Sequence, residues 1–252
     1  MIDTHCHLYD EKLYDNLDEI VSNANQAKIS KMICIGDNLK TSEKSIKISE
    51  SYNNIYATVG IHPHEAKNAP NTYLNTLERY AKNKKVVAIG EIGLDYFYNN
   101  SDPEVQKKIF FHQLTLAKKL NLPSVVHCRE ADDDLYETIL KSNNRCGVIH
   151  CFASNTNFAK KIIDLGFYIS FTGMITFVNE LSQVIKDIDL KHIMIETDSP
   201  YLSPVPYRGK TNQPAYVAKI AEKISEIKKI SIDEVIKITT NNANLLFNKL
   251  KN

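Results

Sequence analysis

Short runs rich in β-branched and apolar residues recur eight times along this chain: MIDTHCH, KMICIGD, IYATVGIHP, VVAIGEIG, LPSVVHC, CGVIHCF, FYISFTG and HIMIETD. No other feature narrows the possible folds more. Stretches with helical spacing lie between them. Residues 11 to 28 place Leu13, Leu17, Ile20, Val21 and Ala24 on one face of a helix. Residues 104 to 120 do the same with Val105, Ile109, Phe110, Leu114, Ala117 and Leu120. Alternating strand and helix implies parallel strands joined by helical crossovers. Eight such units in about 200 residues predict an α/β chain closed into a (β/α)8 TIM barrel. An open doubly wound sheet is the alternative, but no GxGxxG follows the first strand. A Pro-rich loop at 199 to 213 precedes helical patterns at 214 to 228 and 232 to 250. With no linker, low-complexity tract or internal repeat, residues 1 to 252 are expected to form a single domain.

Composition excludes several classes. An apolar fraction of 43% with 24% charged residues supports a sizeable core rather than disorder. The net charge of +1 argues against wide phosphate neutralisation, so a polyanionic substrate must be gripped locally. No run of about 18 apolar residues occurs and no signal sequence opens the chain, so no membrane association is expected. The five cysteines, at 6, 34, 128, 146 and 151, show no CxxC spacing. They fit a reducing compartment, and a cytoplasmic location is expected. No obligate protein partner is evident.

The C-terminal strand ends are polar. His5 and His7, Asp37, His62 and His64, Glu91, His127, His150, Thr172 and Asp198 all fall there, including six of the eight histidines. In a (β/α)8 barrel the loops of every unit converge on that face, so residues dispersed in sequence become neighbours. Strand period places His5 and His7 on one side, where both can face a single metal ion. Imidazoles and carboxylates from further strands would complete a site for one or two divalent cations. A cysteine follows His5, His127 and His150 in turn (Cys6, Cys128, Cys151). Alternation points these thiols away from the axis, so they are expected to pack as small hydrophobes against the helices.

The motifs DTHCHL at 3 to 8, GIHPHE at 60 to 65, GEIGLDY at 90 to 96, HCRE at 127 to 130, HCF at 150 to 152, ETDSPYLSP at 196 to 204 and YRGKTNQP at 207 to 214 run almost end to end. In this order the chain resembles the TatD family of metal-dependent deoxyribonucleases, within the amidohydrolase-like barrel superfamily. The resemblance implies that His5, His7, Glu91, His127, His150 and Asp198 hold two divalent ions, with Glu91 bridging them. The fourth strand ends in Glu91 rather than in a carbamylated lysine; Lys84 and Lys85 lie at its other end.

On this reading Asp198 is both a ligand and the base for the attacking water, and Glu91 sets the spacing of the ions. DNA is the expected substrate, cut from a 3′ end or as a general DNase. The same water activation could instead serve a carbon ester or amide, as in an aminoacyl-tRNA deacylase or lactonase. The donors admit magnesium, manganese or zinc. His62 and His64 are expected to touch substrate phosphate or to brace the loop around Pro63. Arg129 and Arg208 offer paired donors for phosphate and are expected to overlook the ions. Glu130 is expected to orient Arg129. Asp95 is expected to brace a ligand or cap its loop. The YFY at 96 to 98 is expected to form a local loop core, with base stacking as the alternative. His112 and His192 are read as structural.

Overall fold

The computed structural model describes residues 1–251, so Asn252, the last residue of the expected domain, lies outside the described residues. Among these residues, eight strands form one sheet: β1 (Ile2–Cys6), β2 (Lys31–Cys34), β3 (Ile55–Val59), β4 (Val86–Asp95), β5 (Ser124–Arg129), β6 (Gly147–Ile149), β7 (Phe167–Phe171) and β8 (Ile193–Ile195). Neighbours pair in chain order, and every pairing is parallel. Between β8 and β1 the backbone N–H of Asp198 donates to the His5 carbonyl at 2.9 Å, and that of His7 to the Ser199 carbonyl at 2.7 Å. These bonds bring the edges together into the expected (β/α)8 barrel.

Helices α1 (Glu11–Tyr14), α2 (Leu17–Gln26), α3 (Leu39–Ser51), α4 (Tyr73–Tyr80), α5 (Pro103–Leu120), α6 (Asp132–Ser142), α7 (Thr156–Asp164), α8 (Leu181–Asp187), α9 (Val217–Lys228) and α10 (Ile232–Leu246) surround it. Helix α5 begins where Asp102 accepts from the N–H groups of Glu104 and Val105 and Pro103 takes the first turn. It ends at Asn121 in the left-handed conformation, φ 52°. The expected helix over 11 to 28 is instead two, broken at Asp15 and Asn16; Asn16 leaves helical geometry at ψ 32°. Both residues are weak helix formers because their side chains compete for the backbone. Among the described residues no helix is long and apolar enough to cross a membrane.

Two apolar layers position the site. An inner cluster joins Ile2, Ile33, Val87, Val125, Val148 and Met194, one residue from each of six strands, with Ile35 just after β2, and these can meet only inside the barrel. Leu246, Phe247 and Leu250 from the end of α10 and the turn after it complete this cluster and plug the lower mouth. An outer cluster packs Met32, Cys34, Val59, Val126, Ile149 and Ile195 against the helices. Regular alternation therefore carries His127, two residues after Val125, and His150, two after Val148, to the inner face above the plug.

Strands β1 and β4 are not regular. In β4, Ile89 and Ile92 both belong to the outer layer although they are three residues apart, and the register with β5 shifts between them. Strict period two from Ile89 would turn Glu91 outward; the shift turns it in. In β1 the register with β2 shifts between Asp3 and Cys6, and Ile2 is an inner residue while Cys6 is an outer one. That shift brings His5 and His7 inward together.

Candidate metal centre

All six expected ligands meet at the upper mouth. His5 and His7 face each other with Nε2 atoms 3.2 Å apart. Asp198 Oδ1 lies 3.5 Å from His5 Nε2 and 3.3 Å from His7 Nε2, and Glu91 Oε2 is 3.4 Å from His5 Nε2. The other Glu91 oxygen, Oε1, lies 2.7 Å from His150 Nε2 and 3.1 Å from His127 Nδ1. These last two nitrogens are 3.3 Å apart. Glu91 thus presents one oxygen to each of two donor groups. The His5 and His150 rings stack between them with centroids 3.9 Å apart. Gly93 permits the close approach of β4 to β5, because a Cβ there would lie 2.0 Å from the His127 carbonyl oxygen. Asp198 follows β8 in the left-handed region, φ 56°, which Asp tolerates better than most residues.

Groups outside the expected set hold the imidazoles in place. Asp95 accepts from His127 Nε2 at 2.9 Å, from His64 Nε2 at 3.0 Å and from the Tyr98 N–H at 2.9 Å. It braces a candidate ligand and caps its loop at once. The Tyr9 hydroxyl donates to Asp37 and lies 2.9 Å from His7 Nδ1. Buried Glu196 accepts from the Cys151 N–H at 2.7 Å and lies 3.3 Å from His150 Nδ1. Sequence reasoning passed over Tyr9 and Glu196. The available signals were their offsets, each two residues from a candidate ligand, His7 and Asp198. Such anchoring leaves the opposite ring nitrogens of His7 and His127 free to offer a lone pair inward.

The charges are arranged for a cation. Burial alone would raise the Glu91 carboxyl, but the imidazoles of His150, His62 and His127 hold it well below the usual carboxylate range. Burial opposes protonation of His7, yet the carboxylates of Asp37 and Asp198 bring its pKa up to about 9. The same competition raises His127 and His150. A divalent ion would take the place of these protons. His5 Nε2 approaches His7 Nε2 and His127 Nδ1 approaches His150 Nε2 as facing nitrogens, and imidazole with carboxylate is a donor set for divalent metals. The residues therefore fit such ions.

Other expectations fare unevenly. A cavity of 1270 Å³ opens over the cluster, and Arg129, His62 and His64 line it. The Arg129 guanidinium sits over Phe97 at 4.1 Å and Tyr98 at 4.9 Å. Arg208 does not line the cavity; it stands over Phe177, a lining residue, at 3.9 Å and donates to the Ser203 carbonyl at 2.9 Å. The proline-rich loop folds its side chain back on itself instead of leaving it over the donors. Tyr96 packs inward with its hydroxyl donating to Asp134 at 2.7 Å, whereas Phe97 and Tyr98 are 51% and 56% exposed, so the YFY segment is only in part a loop core. Cys6 packs outward as expected, and Cys128, although it reaches the cavity wall, packs against the same outer cluster with its thiol donating to Asp132 of α6 at 3.4 Å, whereas Cys151 lines the cavity. Alternation fails for Cys151 because β6 ends at Ile149 and the chain turns at Cys151, φ 45°. Burial raises both thiols well above their ordinary value, so neither is a ready thiolate. His112 bonds the Tyr73 hydroxyl at 3.0 Å in the helical layer, and His192 lies just before β8 at the far end.

A (β/α)8 barrel with histidines in or just after β1, β5 and β6 and carboxylates in β4 and after β8 around one centre is the architecture of a metal-dependent hydrolase. The chain belongs to the TatD family: residues 2–248 match the family described as TatD related DNase. It is 38% identical over 252 residues to the metal-dependent hydrolase YabD of Bacillus subtilis, with 98% of each chain covered. The crystal structure of YjjV, a TatD homologue from Escherichia coli, superposes with a TM-score of 0.94 at 30% identity, covering 98% of both chains. That of a TatD family hydrolase from Entamoeba histolytica gives 0.89 at 28%, again over 98% of both.

Proposed function

We propose that this hydrolase is a deoxyribonuclease that uses two divalent ions to cleave phosphodiester bonds in DNA. The carrying observation is the split of the Glu91 carboxylate, with Oε2 on the His5 side and Oε1 on the His127 and His150 side. Ions held in the two groups would lower the pKa of water far below its bulk value, toward about 7, and offset charge building on phosphoryl oxygens. His5, His7 and Asp198 would hold one, His127 and His150 the other, with Glu91 between.

The chain's own groups do the rest. Burial would raise the Asp198 carboxyl, but His7 and His5 hold it below its ordinary value, so it stays ionised and able to accept a proton. It lines the cavity, where it can orient the attacking water. Arg129, at the wall, offers paired donors to a phosphate of the substrate. Five cysteines without disulfides suit a reducing compartment, which supports a cytoplasmic location.

One observation favours the second reading, hydrolysis of a carbon ester. Glu130, Asp132 and Asp133 line the same wall as Arg129, and carboxylates there oppose a long polyanion. Metal-loaded protein should therefore be offered end-labelled single-stranded DNA, an aminoacyl-tRNA and simple esters, with Asp198→Ala as control. Shortening of the DNA by the parent protein alone supports the nuclease; turnover of only the carbon esters rejects it.

A further inference from the structure

Distance alone makes His62 a seventh candidate ligand. Its Nε2 lies 3.3 Å from Glu91 Oε1, and His62, Glu91 and His127 each offer a donor atom within 4.8 Å of the others. The hydrogen bond behind the ring says otherwise. His62 Nδ1 accepts the backbone N–H of His64 at 3.1 Å, capping the 3-10 turn Pro63–Asn68. A nitrogen that accepts keeps its lone pair, and a neutral imidazole has only one proton, so that proton sits on Nε2. The inward atom of His62 is then an N–H and not a lone pair. His127 shows the opposite polarity: its outer nitrogen donates to Asp95, so its inner nitrogen can bind a cation. His7 follows His127, with the Tyr9 oxygen behind its Nδ1.

We propose that His62 is not a metal ligand but a fixed N–H donor, aimed at the cavity floor to bind an oxygen of the scissile ester. This rests on the reading of the centre as a hydrolase site. The N–H is directed at Glu91 Oε1, 3.3 Å away. Cations held by the cluster would take up the Glu91 charge, and the same N–H would then be available to an oxygen of the substrate on which negative charge builds. The ring is well held for that task, edge-on between His64 at 4.5 Å and His127 at 4.7 Å between centroids. A donor placed in advance where charge develops needs no rearrangement during the reaction.

The test compares the parent protein with His62→Ala and His62→Gln, the second of which returns an N–H at a similar reach. Metal content after manganese loading and manganese affinity by calorimetry should be unchanged in both variants. Nitrogen-15 spectra of the magnesium-loaded parent should show His62 as the neutral Nε2–H tautomer. Turnover of bis(p-nitrophenyl) phosphate, or of whichever ester the parent cleaves, should fall about 100-fold in kcat for His62→Ala. His62→Gln should recover about tenfold of that loss. Loss of a metal equivalent in His62→Ala, an Nδ1–H tautomer, or unchanged kcat would overturn the proposal. Metal content and tautomer need no turnover, so a protein inert to phosphodiesters ends the nuclease reading while these two still decide the role of His62.

Discussion

Asp95 and His127 are joined by a 2.9 Å hydrogen bond from imidazole Nε2 to carboxylate, which turns His127 Nδ1 toward Glu91. One residue of the β4 end thereby orients a donor from β5, and the same carboxylate holds His64.

Asp95→Asn keeps the acceptor for the Tyr98 N–H but weakens the grip on both imidazoles. Divalent-metal affinity is expected to fall about 10- to 100-fold with the melting profile little changed. Calorimetric titration with manganese measures this, and parental affinity in the variant would rule out the orienting role.

Asp198→Ala removes a carboxylate that faces His5 and His7 and lines the cavity. Turnover should be abolished in metal-replete assays while circular dichroism stays parental. Residual activity near the parent's would show that another group handles the proton.

Metal-free protein should lose stability as pH rises. The folded-state pKa of His7 is about 9 against an ordinary 6.5, so the folded state binds this proton more tightly. The stability it contributes is complete below pH 6.5 and lost as pH passes through about 9, and the raised His127 and His150 act in the same sense. Cations compete for the same lone pairs, so their stabilisation should grow over that interval. Melting curves of chelated and manganese-loaded protein across this range provide the check; a chelated protein whose midpoint does not move with pH contradicts it.

Arg129→Ala should raise KM for a nucleic acid about tenfold, whereas Arg208→Ala, folded back over Phe177, should change it far less. Steady-state kinetics with both variants separates them, and equal effects would place Arg208 on the substrate.

Phe247 is fully buried in the plug beneath the inner cluster. Phe247→Ala should cost about 3–5 kcal/mol of stability by leaving a cavity. Urea unfolding of the metal-free variant reads this directly, and a loss below about 1 kcal/mol would mean the barrel closes without the plug.

Much of this was legible in the chain itself. The rhythm of eight strands and helices determines a parallel barrel because local periodicity reports which face of each element is apolar. A polar residue at the end of a strand then lands on the upper mouth whatever the details of packing. That is why six ligand candidates and the barrel were readable from the residue pattern and its family likeness. Tyr9, Glu196 and the withdrawal of Arg208 were not, because each depends on a partner from another segment, Asp37, His150 and Phe177 respectively. The inward turn of Glu91 and of the His5 and His7 pair was decided only by tertiary structure. Register shifts in β4 and β1 set it, and a shift arises between neighbouring strands, where no single segment records it.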